Sequence, residues 1–375
     1  LRKAERRLEL ACAHRLAARR NRIHDPHPRR IRERLEQLRS RLGFFRVQYP
    51  PEHLHRLTRA FPELSPSARL ALLTDAFALG QAGRIPLAEY FALLSRLRPA
   101  GDPATLVLFL QADYALSNLD GAMHGAPAQK SLHSYARNKL GPMLRQLGWS
   151  VSPSDTAVAL SLRNDLIEVL GRFGDEATLR KSMELFKAER NGGAAIAPSI
   201  RPGVLANVGR RADAEIFAEL VKRMTTATRV EDGWLYAEAL AHVEDGVLAR
   251  QFLALPLGDT LPTQMVSWLP GMVAGNHTHG AMAYGFVVDN FDVLSRKTSE
   301  QGRPHLLPSA ASGFNESARA TALTADQKRL LGDAGEKTAK QAAAAIELKS
   351  RIRTRDGASL ATSSRAVRGV SAQNP

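Results

Sequence analysis

Apolar residues recur every three or four positions along most of the chain, and this spacing constrains the fold more than any other feature. Clear examples are Leu70, Leu73, Phe77; Leu162, Leu166, Val169; and Ile216, Leu220, Met224. Such spacing gathers apolar side chains on one face of an α-helix. An alternating pattern occurs only in the short piece at residues 45–49, which fits one strand or an extended lead-in. The sequence therefore predicts an all-α fold.

Helix starts are marked by residues that satisfy free backbone N–H groups. Ser65-Pro66, Asp102-Pro103 and Ser152-Pro153 each pair an N-cap oxygen with a proline. A proline at the first helical position sacrifices no hydrogen bond, because that N–H has no partner within the helix. Thr324 and Gln327 have capping-box spacing. These four segments are predicted to open helices.

A loose repeat is present in the second half of the chain. Asp175, Asp213 and Asp245 each precede a helical pattern, at intervals of 38 and 32 residues. Each interval accommodates two helices, as in helix-pair repeat proteins. We therefore predict a right-handed superhelix of HEAT- or armadillo-like helix pairs.

Charge divides the chain into three regions. The net charge is +15, but residues 1–42 hold 14 Arg or Lys against 5 Asp or Glu, and residues 349–375 hold 6 against 1. The region between them is almost neutral. We predict an Arg-rich helical extension at 1–42, a folded body at 43–355 and a disordered tail at 356–375. A basic arm alone is weak support for nucleic-acid binding, so we do not expect nucleic acid as a partner.

Composition limits the other possibilities. The single cysteine, Cys12, excludes an internal disulfide and a zinc site built on cysteines. No run of about 18 apolar residues is present, so no membrane span is expected. We expect a soluble protein of the cytoplasm or periplasm, although no targeting signal identifies the compartment.

A complete catalytic site cannot be recognised in the sequence. None of the 11 histidines begins an H-E-x-x-H motif, and no P-loop or G-x-G-x-x-G is present. His277 and His279 lie in a Gly- and Asn-containing loop, where a metal role would need a neighbouring carboxylate. We therefore predict no catalytic residues, no metal ligands and no cofactor in this chain.

Two arginines are candidates for substrate binding. Arg163 and Arg201 sit beside apolar helical positions. Either they pair with acidic groups between helices, or they face a concave surface and meet a peptide carboxylate, which a guanidinium binds through two hydrogen bonds. Structural pairing is the preferred interpretation.

Five segments, in order, carry a family resemblance. They are residues 43–49 (GFFRVQY), 69–83 (RLALLTDAFALGQAG), 147–149 (LGW), 196–201 (IAPSIR) and 280–291 (GAMAYGFVVDNF). Together they resemble the C-terminal domain of M1-family zinc aminopeptidases, the domain named after the endoplasmic-reticulum aminopeptidases. Tyr284 stands where the family pattern has Trp.

The resemblance implies a function for the parent enzyme. Such an enzyme removes amino acids from peptide N-termini with a zinc ion held in a separate catalytic domain. Its helical C-terminal domain covers that domain and limits which peptides enter. The resemblance thus implies a catalytic domain and a peptide as partners, and zinc as a cofactor of the parent enzyme only. Residues 1–42 depart from the family pattern, so whether this polypeptide works as a peptidase is left open.

Two functions are carried forward. In the first, the chain is the cap of an M1 aminopeptidase and is inactive alone. In the second, it is a non-enzymatic helical-repeat scaffold that binds proteins.

Overall fold

The computed structural model describes the backbone of residues 46–371 and the side chains of residues 46–361. The model is 75% helical, with 17 α-helices and no strands in the described part of the chain. The predicted all-α class is confirmed. The predicted superhelix of HEAT-like pairs stays a prediction.

The first nine helices are α1 (Pro51–Arg59), α2 (Pro66–Gln81), α3 (Leu87–Arg96), α4 (Pro103–Met123), α5 (Ala128–Leu147), α6 (Ala157–Arg172), α7 (Glu176–Arg190), α8 (Arg201–Arg210) and α9 (Ala214–Thr225). The last eight are α10 (Val230–Ala241), α11 (Gly246–Ala254), α12 (Thr263–Gly275), α13 (Gly280–Asp289), α14 (Phe291–Lys297), α15 (Leu306–Ala310), α16 (Ser317–Leu331) and α17 (Glu336–Ser371). Short 3₁₀ turns lie at Phe61–Glu63, Leu255–Leu257, His277–His279 and Arg303–His305.

Two predicted N-caps are confirmed, and the three aspartates of the loose repeat also act as N-caps. Ser65 and Asp102 open α2 and α4, and each accepts a backbone N–H three residues ahead. Asp175, Asp213 and Asp245 do the same for α7, α9 and α11. These caps were predictable because their hydrogen bonds are local.

Two other local predictions differ from the structure. Ser152 forms a turn whose N–H reaches Asp155, and α6 begins later behind Thr156. Thr324 lies inside α16, where its hydroxyl donates to carbonyls of its own helix. In both cases a serine or threonine has more than one local hydrogen-bonding solution.

Of the two alternatives for residues 45–49, the structure shows no strand at residues 46–49, which run without regular structure into α1. Phe45 lies outside the described residues.

Helices α4, α6, α8, α10 and α12 form a row in which each contacts the next. Glycines allow close packing within it. An added Cβ at Gly209 would lie 1.8 Å from the carbonyl oxygen of Ala239, so α8 and α10 meet backbone to backbone. The main core runs through this row, and a smaller core joins α13 to α17. Of the aromatic residues near the row, Phe186 and Phe217 are buried, while Trp149 packs partly buried against the main core.

The last helix returns to the start of the fold. Helix α17 packs against α4 and α5 as well as α16, and Arg355 donates to the carbonyl of Gly80 at the end of α2. The predicted boundary at residue 356 differs from this structure, because α17 continues to Ser371. Asp356 and Leu360 are both 7% exposed. One large apolar side chain, Leu360, is enough to hold this part of the helix, because α17 packs on a surface that α4 and α5 already form.

Residues 1–45 and 372–375 lie outside the described part of the chain, so the predicted Arg-rich extension lies outside it too. Within the described helices, none is both long and apolar enough to cross a membrane.

Candidate functional site

A polar pocket of about 290 Å³ lies where five helices of the row end. We call it the histidine pocket. It is lined by Asp120, His124, Gln129, Lys130, His133, Arg172, Arg210, His242, Glu244, Gly275, Asn276, His277 and Thr278. Ligand pockets in proteins commonly enclose about 300–1,000 Å³. This one therefore has room for the end of a chain or a small molecule.

Helix ends supply most of the key side chains. His124, His242 and Asn276 follow the last residues of α4, α10 and α12, and Arg172 and Arg210 are the last residues of α6 and α8. The C-terminus of a helix carries partial negative charge, which stabilises a nearby cation. Five such ends in one place explain why arginines are tolerated there.

Asp120 is held by two neighbours and offers little to a ligand. Its carboxylate lies 2.6 Å from Nε2 of His133 and accepts a hydrogen bond of 2.9 Å from Gln129. Burial by itself raises the pKa of Asp120. The His133 hydrogen bond and charge outweigh that effect and lower the pKa to about 2. Asp120 is therefore ionised and paired.

Glu168 is the shared counterion of Arg172 and Arg210. It accepts from Arg210 and lies 3.5 Å from Nη2 of Arg172. Burial raises the pKa of Glu168, but the charges of Arg172 and Arg210 bring it down to about 2. One carboxylate thus pairs directly with two guanidinium groups, while Asp120 and Asp113 also act on Arg172 and Glu244 acts on Arg210 from a greater distance.

Burial favours the neutral form of three histidines at the pocket. Burial lowers the pKa of His242 to about 3, with help from the charge of Arg210. Burial also lowers the pKa of His277 to about 4, and it lowers the pKa of His124. The rings of His124 and His277 lie 5.6 Å apart. An added Cβ at Gly121 would lie 3.1 Å from the His277 ring, so this glycine makes room for it.

Four buried nitrogens at the pocket have no hydrogen-bond partner. They are Nε of Arg172, Nε of Arg210, Nδ1 of His242 and Nδ1 of His277. A guanidinium nitrogen only donates, whereas a neutral imidazole presents one donor and one acceptor. Buried polar groups without partners are destabilising, and several more occur elsewhere among the described residues. The four at the pocket are distinguished by lying together, an arrangement that suits an acceptor-rich ligand or water.

Helix α17 supports one wall from outside. Asn315 donates to the carbonyls of Gly121, Ala122 and His124, which are the free carbonyls at the end of α4. Arg353 of α17 donates to the His124 carbonyl and to Asn315 Oδ1, both at 2.9 Å. Asn315 and Arg353, which follow His124 by 191 and 229 positions in the sequence, thereby fix its backbone.

The two arginines singled out in the sequence do not line this pocket. Arg163, 1% exposed, donates to the carbonyls of Leu147 and Gly148 and pairs with Asp155 at 2.9 Å. Arg201 forms a two-point pair with Glu189 at 2.7 and 2.8 Å and reaches the Tyr236 hydroxyl at 3.2 Å. Both make the structural pairs that the sequence analysis preferred.

The metal candidates of the sequence are also separated. His277 enters the pocket, while Nε2 of His279 lies 3.0 Å from the carbonyl of Val243. Within the residues that the structure describes, no three His, Cys, Asp or Glu side chains are arranged to hold a metal ion. The described side chains therefore do not form a site that fits the zinc ion implied by the family resemblance.

Sequence reasoning missed Arg172, Arg210 and His242, although a signal was present. Each stands three residues before an N-cap aspartate, at Asp175, Asp213 and Asp245. A basic residue, two connecting residues and a capping aspartate recur three times in this way. Because the connections are equally short, the three basic side chains emerge at the same end of the row.

Comparison with known proteins identifies the family. The family of the ERAP1-like C-terminal domain matches residues 40–348, most of the chain. The chain belongs to this family, as the ordered motifs of its sequence predicted.

Among curated proteins, the chain is similar to aminopeptidases. It is 27% identical over 150 residues to Aminopeptidase M1-A of Oryza sativa subsp. japonica, covering 39% of this chain and 17% of that protein. It is 23% identical over 231 residues to the alanine/arginine aminopeptidase of Saccharomyces cerevisiae, covering 57% and 27%. It is 24% identical over 234 residues to Aminopeptidase M1 of Arabidopsis thaliana, covering 59% and 26%. The chain thus matches about a quarter or less of the length of these relatives.

Proposed function

We propose that this chain is the cap of an M1-type aminopeptidase and that its histidine pocket holds the carboxyl terminus of a peptide. The family and its relatives support the first part. The second part rests on one observation, the unpartnered Nε–H groups of Arg172 and Arg210 at the pocket. A terminal carboxylate supplies the acceptor oxygens that these buried donors lack.

The pocket walls suit this ligand. Asp120 and Glu168 are already paired, so neither carboxylate is free to repel an incoming anion strongly. The third carboxylate, Glu244, is exposed, so solvent screens its charge. Lys130 is exposed at the rim, where its ammonium group attracts negative charge. The neutral imidazoles of His242 and His277 complete the hydrogen bonding by presenting either a donor or an acceptor.

Catalysis belongs to other parts of the parent enzyme in this proposal. Zinc would be held there, and the cap would position the far end of the peptide while its first bond is hydrolysed. The chain alone is expected to turn over no aminoacyl fluorogenic substrate. Zinc-dependent turnover by the purified chain would contradict this expectation.

Binding to the pocket is tested with a matched pair of peptides. An N-acetylated alanine pentapeptide with a free carboxyl terminus should bind the full chain about tenfold or more tightly than its C-terminal amide, because only the first presents a carboxylate. Fluorescence anisotropy or calorimetry measures both affinities. Equal affinity for the two peptides would exclude the carboxylate site and favour the scaffold function.

Two variants locate the effect. Arg172→Gln should reduce the preference for the free carboxylate by about tenfold, since it removes a charge and a donor. Arg201→Gln is the matched control, because Arg201 lies outside the pocket and is paired with Glu189. If Arg201→Gln weakens binding as much as Arg172→Gln does, the pocket is not the site.

A further inference from the structure

A hydrogen-bond relay links the histidine pocket to a carboxyl group that does not line it. Nη2 of Arg172 donates to Oγ of Ser117 at 2.7 Å, and Ser117 donates to Oδ1 of Asp113 at 3.3 Å. Asp113 and Ser117 lie one turn apart on α4, and Arg172 ends α6. The guanidinium whose Nε lacks a partner is therefore held on its other side through Ser117 by Asp113.

The surroundings of Asp113 contain more negative than positive charge. Helix α6 presents Arg172, Glu168 and Asp165 to it, and only Arg172 is positive. Helix α3 adds the buried phenol of Tyr90, and Tyr135 of α5 acts on that phenol in turn.

Helices α2 and α17 also pack on α4, but neither contributes a charge to the pKa shift of Asp113. Phe77 of α2 lies against the ring of Tyr114. Lys349 and Arg353 of α17 approach α4 near Gly121 and His124, toward its C-terminal end. Arg172 is thus the principal cation facing Asp113.

These surroundings shift the protonation of Asp113. Burial raises the pKa of Asp113 to about 7, against the attraction of Arg172 and with the repulsion of Glu168 and Asp165. The group changes charge between about pH 6 and pH 8. Arg172 responds, since its own pKa, which burial lowers, is raised by the combined charges of Glu168, Asp120 and Asp113.

We propose that Asp113 is a positioning residue that makes carboxylate binding in the histidine pocket depend on pH. When Asp113 is protonated, Arg172 has one anionic neighbour fewer, and its guanidinium attracts a bound carboxylate more strongly. When Asp113 is ionised, it competes with the ligand for the same guanidinium through Ser117. The inference rests on the proposed function, because it assumes that the pocket binds a carboxylate.

Thermodynamic linkage predicts two effects: protonation of Asp113 changes the affinity for the peptide, and peptide binding changes the protonation of Asp113. We expect the free-carboxylate peptide to bind about fivefold more tightly at pH 6 than at pH 8, which is at the low end of measured couplings between sites. By reciprocity, a saturating peptide must raise the protonation constant of Asp113 by the ratio of the affinities for its fully protonated and fully ionised forms, which is somewhat larger than the ratio between pH 6 and pH 8. Carbon-13 NMR titration of the Asp113 carboxyl measures this second quantity without using affinity.

The experiment measures the affinity of the full chain for the free-carboxylate pentapeptide at pH 6 and pH 8. Asp113→Asn should bind with nearly equal affinity at both pH values, and its affinity at pH 8 should approach that of the wild type at pH 6. Ser117→Ala, which breaks the relay and keeps the charge, should retain part of the pH dependence. Circular dichroism confirms that each variant is folded.

Glu238→Gln is the matched control. Burial raises the pKa of Glu238 too, but Glu238 does not line the pocket and no charged neighbour contributes to its shift. It should keep the full pH dependence of the wild type. His133 also lies at the pocket, and because Asp113→Asn leaves it in place, any pH dependence that this variant retains comes from groups other than Asp113.

The outcomes are distinct. If Asp113→Asn binds the peptide with the same pH dependence as the wild type, this inference is overturned and the proposed function survives. If neither protein binds the peptide at either pH, the proposed function fails and this inference fails with it. If Asp113→Asn loses the pH dependence while the wild type and Glu238→Gln keep it, the result supports both the proposed function and this inference.

Discussion

Helices α6 and α8 each carry two arginines, and the two pairs of arginines differ in their surroundings. Arg163, in the first half of α6, and Arg201, the first residue of α8, each meet carbonyls, carboxylates or a hydroxyl through two or more hydrogen bonds. At the last residues, Arg172 and Arg210 share Glu168 and leave one buried Nε each without a partner. The first pair holds helices together. The second pair has binding capacity left over.

The difference follows from the backbone around each pair. Arg163 lies beside the end of α5, where free carbonyls accept its N–H groups. Arg201 lies against Glu189, near the end of α7. Arg172 and Arg210 instead share an open space with histidines, whose nitrogens do not compete strongly for a guanidinium. Arg163 also has one buried nitrogen without a partner, its Nη1, so an unpaired buried donor does not by itself mark a site. What distinguishes Arg172 and Arg210 is that their unpaired Nε atoms lie together at one pocket with two unpaired histidine nitrogens.

Truncating Arg163 is expected to have the largest effect on stability. Arg163→Ala should lower the free energy of unfolding by about 3 kcal/mol, because it leaves two carbonyls and Asp155 without their buried partner. Urea denaturation measures the change, with Arg211→Ala as control, since Arg211 is exposed and pairs only with exposed Glu176. A loss below about 1 kcal/mol would show that Arg163 is not the main link between α5 and α6.

Neutralising Glu168 tests the pocket end and should have an intermediate effect. Glu168→Gln should lower stability at pH 7 by about 2 kcal/mol, because Arg172 and Arg210 lose their shared counterion. The folded pKa of Glu168, about 2, lies below the unfolded value. Its contribution is therefore complete above about pH 5 and is lost as the pH falls toward 2.

The check is urea denaturation of Glu168→Gln and wild type at several pH values. Their difference should shrink steadily below about pH 5. Glu215→Gln, on an exposed side chain, provides the control. A difference that stays constant down to pH 3 would mean that the charge of Glu168 does not stabilise the fold.

Replacing Arg201 should have the smallest effect. Arg201→Gln should lower stability by about 1 kcal/mol, because its pair with Glu189 is well aligned but partly exposed. The measurement is the same denaturation at pH 7. A loss as large as that of Arg163→Ala would remove the distinction between a buried and a half-buried pair.

The sequence predicted the parts of this molecule that depend on neighbours along the chain. Asp175, Asp213 and Asp245 were predictable as caps because their partners lie two or three residues away. The histidine pocket depends on residues from Asp120 to Thr278 meeting in space, which local patterns do not specify. His277 was noticed only as half of a histidine pair, and its neighbours Arg172 and His242 were not.

Helix α17 joins the last part of the chain to the first. In an open array of repeats, each unit touches only its neighbours, so unfolding begins at an end and proceeds inward. Here Arg355 reaches Gly80 and Arg353 reaches His124, so neither α2 nor α4 can separate without releasing the C-terminal helix. Melting should accordingly be a single cooperative event, and a chain stopped at residue 348 should lose that cooperativity.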